Sequence, residues 1–322
     1  MSRKLFRDLG IPAPYQDLEV GSGSHAVQTA KIMMRLESLL LRERPDLILV
    51  VGDVNSTMAA SLVAAKMEIP LAHVEAGLRS FDRSMPEEIN RKVTDGLADY
   101  LFTTSPEAER NLKREGVESR KIFFVGNVMV DTLLSNLKKA SRSRLRQKLG
   151  LVKPYAVLTL HRPSNVDRDK DFAEILTALA GIQKKIKIVF PVHPRTAARL
   201  RHGRYRSRLA AMKNLILIPP VGYLDFIHLM KDARLVLTDS GGVQEESTVL
   251  KVPCLTLRDN TERPVTLFEG SNILAGRKSE RILKLAARVL KNRSGRRYAR
   301  PAYWDGKAAE RIVRVLSRKF GF

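Results

Sequence analysis

The chain has 322 residues, 44% hydrophobic and 28% charged, enough for two ordinary domains. No apolar run reaches membrane-span length, Met1-Ser-Arg-Lys-Leu-Phe6 lacks the apolar core of a signal peptide, and the single Cys254 excludes a disulfide framework, so a cytoplasmic protein with no membrane partner is expected. The net charge of +23 gathers at 138–148, 199–208 and 293–300 without interleaved aromatics, Tyr205 and Tyr298 apart; a solvated basic surface is expected rather than a nucleic-acid platform. The six histidines lack ligand spacing, so no metal site is expected.

In chain order, Gly21-Ser-Gly-Ser-His25 reads as a flexible turn, because no apolar run precedes it, and Gln28 follows shortly after. An apolar strand over 47–51 leads into Gly52-Asp53 and a helix over 56–67. Asp53 therefore faces outward at a strand's carboxyl end, or caps the helix that follows. A strand over 71–74 runs into Glu75, where a carboxylate has no packing reason; Pro86-Glu87 opens a helix over 86–98, where an acidic residue suits any first turn. A strand over 100–103, a helix over 105–115 and a strand over 121–125 complete the first half, and the charged run 141–150 suits a domain boundary.

The second half has strands over 156–160, 187–190, 215–218, 235–237 and 254–257 with helical stretches between them. His161 follows the first of these and His193 the second, each at a strand end and each equally readable as structural. Behind 235–237 stands Asp239-Ser-Gly-Gly-Val-Gln-Glu-Glu246. A buried strand ending in Ser240-Gly241-Gly242 and opening a helix is a phosphate cradle: the glycines admit the anion and the first amides and positive dipole end hold its charge. Glu246, one turn in, is placed to accept from sugar hydroxyls, which points to a nucleotide-linked ligand. Alternation of short strands with helices gives an α/β fold of two Rossmann-like, doubly wound lobes, with the ligand in the interdomain cleft at the strands' carboxyl ends.

His73-Val-Glu-Ala-Gly-Leu-Arg79, Met85-Pro-Glu-Glu-Ile-Asn-Arg91, Leu158-Thr-Leu-His-Arg-Pro-Ser-Asn165, Pro191-Val-His193, the 239–246 segment and Arg258-Asp-Asn-Thr-Glu-Arg-Pro264 follow Gly52-Asp53 in one order. On these residues the chain resembles the non-hydrolysing UDP-N-acetylglucosamine 2-epimerases over nearly its whole length. The resemblance implies a glycosyltransferase-B-like arrangement, with lobe 1–145 completed by a C-terminal helix at 306–322 and a UDP-binding lobe at 150–305. It also implies a UDP-sugar substrate, a homodimer and no cofactor. Family members eliminate UDP across C1–C2 to a 2-acetamidoglucal, then protonate it from the opposite face and add UDP back. Position for position, Asp53, Glu75 and Glu87 match the family's acid–base carboxylates and His161 its site histidine. Arg91 and Arg263 match residues at the diphosphate, Gln28 a site glutamine, Ser240, Gly241 and Gly242 the phosphate contacts, and Glu246 the ribose contact; His193 is cleft-facing by position.

Two departures stand out. Family members begin with a strand and a Gly-x-Arg-Pro-Glu loop that this chain does not show, so an incomplete first lobe and an impaired enzyme are expected. Where relatives activated by their own substrate carry an Arg before the site glutamine and a Glu after the site arginine, this chain has Val27 and Lys92. Sibling enzymes acting on a UDP-2,3-diacetamido uronate, and hydrolysing 2-epimerases, share every motif named above. A glycosyltransferase of the same architecture does not need the carboxylate set. A non-catalytic product and a basic nucleic-acid binder are the remaining alternatives.

Overall fold

The computed structural model describes residues 6, 8–201, 203–292 and 298–321. By internal contacts the chain divides into a first lobe, 13–131 with 302–322, and a second lobe, 1–12 with 132–301. The division falls inside the helix Val128–Ala140 and not at 141–150. The physical reason is that the charged run is anchored in the second lobe: Ser143 Oγ donates to Asp225 at 2.6 Å, and Arg146 pairs with Asp232. Most of the basic cluster at 293–300 lies outside the described residues.

The first lobe holds a four-stranded parallel sheet in the order β1 (Ile48–Val51), β2 (Leu71–Ala76), β3 (Tyr100–Thr103), β4 (Ile122–Phe124). One face buries Val50, Leu71, Leu101 and Ile122 against Ala64 and Leu112 of the intervening helices. The other face buries Val74 and Phe102 against Ile312 and Leu316 of the helix Ala308–Phe320. That helix is tied in place by Asp131, whose carboxylate accepts the Ala308 and Ala309 amides at 3.1 and 2.8 Å, and by Trp304 Nε1 donating to the Thr104 carbonyl at 2.9 Å. Among the described residues β1 is an edge strand, with Leu49 and Val51 half-exposed.

The second lobe holds six parallel strands in the order β10 (Asn272–Leu274), β9 (Cys254–Thr256), β8 (Leu235–Thr238), β5 (Tyr155–Thr159), β6 (Lys187–Pro191), β7 (Leu215–Ile218). In chain order the strands run outward from β5 to β7, then from β8 to β10 on the other side. The winding therefore reverses between β5 and β8, the place where ligands bind in such sheets. Tyr155–Leu158 and Leu235–Thr238 are fully buried on both faces and, Thr238 apart, carry large or small apolar side chains, as central parallel strands must.

The helices begin and end within a residue or two of the expected bounds, at Asn55–Lys66, Pro86–Leu97 and Pro106–Arg114. Elements beyond those expected include the helix His25–Glu43 and the strand β10. Gly21-Ser-Gly-Ser24 precedes that helix without a strand ahead of it among the described residues, and Ser24 Oγ caps the helix by accepting the Val27 amide at 3.3 Å.

Candidate active site

In the first lobe two of the candidate carboxylates, Asp53 and Glu75, stand where β1 and β2 end. Asp53 is not the cap of the helix Asn55–Lys66; Val54 holds that position with no side-chain bond. Instead Asp53 Oδ2 accepts from Arg91 Nε at 3.1 Å, and the Asp53 carbonyl accepts from Asn90 Nδ2 at 2.9 Å. The sequence Asn90-Arg91 thus grips one residue by backbone and side chain. Arg91 is buried, and its Nη1 donates to Glu88 Oε2 at 2.6 Å, so its guanidinium bridges two carboxylates. Gln28 joins the same network, since its Oε1 accepts from Asn55 Nδ2 at 2.8 Å and its Nε2 donates to the Gly21 carbonyl at 3.0 Å.

Glu75 lies within β2, which runs on to Ala76 through a register shift between Val74 and Ala76. Its φ of +71° lies in the left-handed region, which costs a non-glycine residue on the order of 1–3 kcal/mol. A bulge re-aims a side chain at a strand end, and here it turns a half-buried carboxylate out of the alternation of the strand. Gly77 follows at φ +77°, where an added Cβ would collide with the Ala108 carbonyl, so only glycine lets the chain turn away here. Glu87 stands in the first turn of Pro86–Leu97, half-buried. Its neighbour Glu88 is buried, accepting from the Ser80 and Phe81 amides at 2.8 and 3.1 Å and from Ser80 Oγ at 2.9 Å.

In the second lobe the candidate residues gather at the winding reversal. His161 follows β5, and Asp239 and Ser240 follow β8. Asp239 is fully buried and accepts from the His161 and Arg162 amides at 3.0 and 2.9 Å, from Asn165 Nδ2 at 3.2 Å, and from His161 Nδ1 at 3.0 Å. Burial works against its charge, but the His161 imidazole and these amides hold its carboxyl below the usual carboxylate range. Asp239 therefore fixes both the loop and the ring of His161. The rings of His161 and His193 stand 5.6 Å apart beside Ser240 and Val243, around a cavity of about 220 Å³. His193 is also structural, because its Nδ1 accepts the Arg195 amide at 3.2 Å and caps the helix Pro194–Leu200. Burial, with the neighbouring His161 and Arg195, lowers its pKa.

Ser240 caps the helix Gly241–Val249, whose N-terminus opens the cradle. A Cβ on Gly241 would lie 2.8 Å from Glu262 Oε1, so a larger residue there has to displace that carboxylate. Glu262 pairs with Arg258 Nη1 at 2.7 Å and Arg162 Nη2 at 3.2 Å; burial raises it, but the Arg263, Arg258 and Arg162 guanidiniums hold it down at about 2. Arg263 is buried, with Nε 2.5 Å from Glu245 Oε1. Glu246 is nearly inaccessible, and burial pushes its carboxyl up to about 7 against the lowering influence of the Tyr223 hydroxyl.

The family model for UDP-N-acetylglucosamine 2-epimerase matches residues 1–317. The chain belongs to the UDP-N-acetylglucosamine 2-epimerase family. It is similar to the UDP-N-acetylglucosamine 2-epimerase of Methanocaldococcus jannaschii, at 47% identity over 98% of this chain and 87% of the relative. A crystal structure of that enzyme with UDP-GlcNAc and UDP superposes with a TM-score of 0.90, covering 97% of this chain and 87% of the other. The UDP-2,3-diacetamido-2,3-dideoxy-D-glucuronate 2-epimerase of Pseudomonas aeruginosa is 39% identical over 99% of this chain and 88% of its own. Membership in the epimerase family makes the protein an isomerase with two parallel-sheet lobes, and removes the glycosyltransferase alternative.

Within the epimerase family pattern, the structure brings Asp53, Arg91, Gln28 and the bulged Glu75 to the strand ends of one sheet, and His161, His193 and Ser240–Gly242 to the reversal of the other. Sequence reasoning missed Glu88, Asn90 and Asp239 as the groups that hold these residues. The doubled acid in Pro-Glu-Glu-Ile-Asn-Arg and the Asp that opens Asp-Ser-Gly-Gly were the signals available for two of them.

Proposed function

We propose that this protein interconverts UDP-N-acetylglucosamine and UDP-N-acetylmannosamine by elimination and re-addition of UDP. The reading is supported by carboxylates at the ends of β1 and β2 in the first lobe, by a phosphate cradle at the β5–β8 reversal in the second, and by 47% identity to the M. jannaschii enzyme. In this reading Asp53, Glu75 and Glu87 move the C2 proton, and carboxylates sharing a site poise one another to hold and release it. Arg91 aims Asp53 through the hydrogen bond from its Nε. His161, oriented by Asp239, meets the departing diphosphate oxygen together with Ser240, Gly241, Gly242 and Arg263, and His193 lines the same wall. Glu246 accepts the ribose hydroxyls and Gln28 orients the sugar. No redox cofactor or metal enters the scheme.

A cytoplasmic location and a homodimer belong to the same proposal. Val27, Met34 and Leu41, seven residues apart on the helix His25–Glu43, are 49%, 70% and 62% exposed and form an apolar stripe suited to a second copy. Light scattering should give the mass of two chains; a monomer at micromolar concentration contradicts the dimer. Nucleic acid is not a partner in this reading, despite the basic surface.

The test is product analysis by NMR after incubation with UDP-N-acetylglucosamine and, separately, with UDP-2,3-diacetamido-2,3-dideoxy-glucuronate. Conversion of the first to the manno epimer supports the reading. Turnover of the second alone, or release of free sugar and UDP, assigns the protein to a sibling activity.

A further inference from the structure

The loops that carry Asp53 and Glu75 are joined from behind by a side chain with no part in the proposed reaction. His73 in β2 is fully buried, with Nδ1 2.6 Å from Asp95 Oδ1 and Nε2 2.9 Å from the Gly52 carbonyl oxygen. Asp95 is buried too, and its Oδ2 accepts from Arg79 Nη1 at 2.7 Å and from the Gly77 amide at 3.0 Å. A carboxyl taking a guanidinium and an amide together is an ionised acceptor, so His73 Nδ1 donates to it. A peptide carbonyl can only accept, so His73 Nε2 donates as well. A neutral imidazole carries one N–H and cannot satisfy both neighbours.

We propose that His73 is a positioning residue whose two ring nitrogens both donate, and that acts with Asp95 to lock the backbone on both sides of Glu75 and immediately ahead of Asp53. The charge balance allows it. Arg79 forks onto Glu115, with Nε–Oε1 at 2.9 Å and Nη2–Oε2 at 2.5 Å, so the two buried cations are matched by buried Asp95 and by Glu115 at the solvent rim. The remaining charged neighbour is Lys92, whose Nζ stands 3.9 Å from Glu115 at the rim. A hydrogen-bonded set of this kind, with one carboxylate reaching solvent, is a condition under which buried ions are tolerated.

The geometry supplies the role. Asp95 bonds the side chain of residue 73 and the amide of residue 77, flanking Glu75 at two residues on each side and holding its φ at +71°. Gly52 is pinned to β2 at both of its peptide groups: its amide donates to the Val74 carbonyl at 3.0 Å and its carbonyl accepts from His73. One histidine ring therefore sets the spacing between the two loops that present the carboxylates.

The positioning role rests on the proposed parts played by Asp53 and Glu75, and two measurements separate the two claims. Histidine-labelled protein is studied by 15N NMR at about pH 8, well above the ordinary imidazole range near ~6.5. His73 should show an N–H at both ring nitrogens; a single N–H overturns the proposal whether or not any UDP-sugar is turned over. In parallel, His73→Gln should lower kcat by about 100-fold with little change in KM, the pattern of displaced reacting groups beside an intact UDP cradle. An unchanged kcat, or a loss confined to KM, overturns the positioning role. If His73→Gln fails to fold, the milder Asp95→Asn variant is read for the same split and for loss of the second N–H. Absence of turnover in the parent protein sinks the proposed function alone, since the spectrum still decides the charge state of His73.

Discussion

Glu246 offers the sharpest quantitative test, because its environment fixes a sign. The side chain is sealed in the second lobe and its carboxyl titrates at about 7, against an ordinary value of 4.5. At about 1.4 kcal/mol per pH unit, the gap corresponds to roughly 3 kcal/mol between the protonated and ionised folded states. Between these two values the folded protein holds a proton that the unfolded chain has lost, so stability falls as pH rises from 4.5 towards 7 and levels off above it. Glu246→Gln removes the titration. The variant should match its parent near pH 4.5 and exceed it by up to roughly 3 kcal/mol at about pH 8. The assay is denaturant unfolding of both proteins across that range, read as the difference between the two profiles. UDP adds a second arm. If ribose hydroxyls donate to Glu246, binding favours the ionised carboxylate, and affinity should rise by up to about tenfold per pH unit below 7 in the parent and stay flat in the variant. Parallel stability profiles, or equal pH slopes for UDP binding, refute the reasoning.

Amide replacement of Asp53, Glu75 or Glu87 should each cost about 100-fold or more in turnover, and wild-type-like solvent deuterium exchange at C2 in all three variants would remove the assignment. Because Glu75 sits at φ +71°, Glu75→Gly should unfold at higher denaturant than Glu75→Ala, by about 1 kcal/mol, with both inactive; the reverse order in stability would count against strain at the bulge. With Val27 and Lys92 at the positions where substrate-activated relatives carry Arg and Glu, initial rates should follow a hyperbola, and a sigmoidal dependence contradicts this.

The sequence made legible those parts of the site that depend on local order. Asp53, Glu75, His161 and Ser240 follow apolar runs, and a polar residue directly after a buried strand reaches the carboxyl edge of the sheet whatever else the chain does. What escaped notice depends on distant partners. Asp95 meets His73 across 22 positions and Asp239 meets Asn165 across 74, and no local pattern announces such pairs. The capping reading of Asp53 failed because Arg91 and Asn90, from the next helix, compete for its carboxylate and carbonyl. The helix His25–Glu43 went unread because its apolar residues surround it, with Ile32 and Leu40 buried while Val27, Met34 and Leu41 face out. Strand β10 escaped because Asn272-Ile-Leu274 is too short to show a period.

The central claim is that this chain reverses the configuration at C2 through elimination of UDP. Its most direct test is incubation of the protein with UDP-N-acetylglucosamine in D2O, followed by NMR and mass spectrometry of the recovered nucleotide sugar. UDP-N-acetylmannosamine carrying one deuterium at C2, together with exchange into the remaining substrate at that carbon alone, is the predicted result. Epimer formed with its C2 hydrogen retained, or complete recovery of unlabelled starting material, would contradict the account.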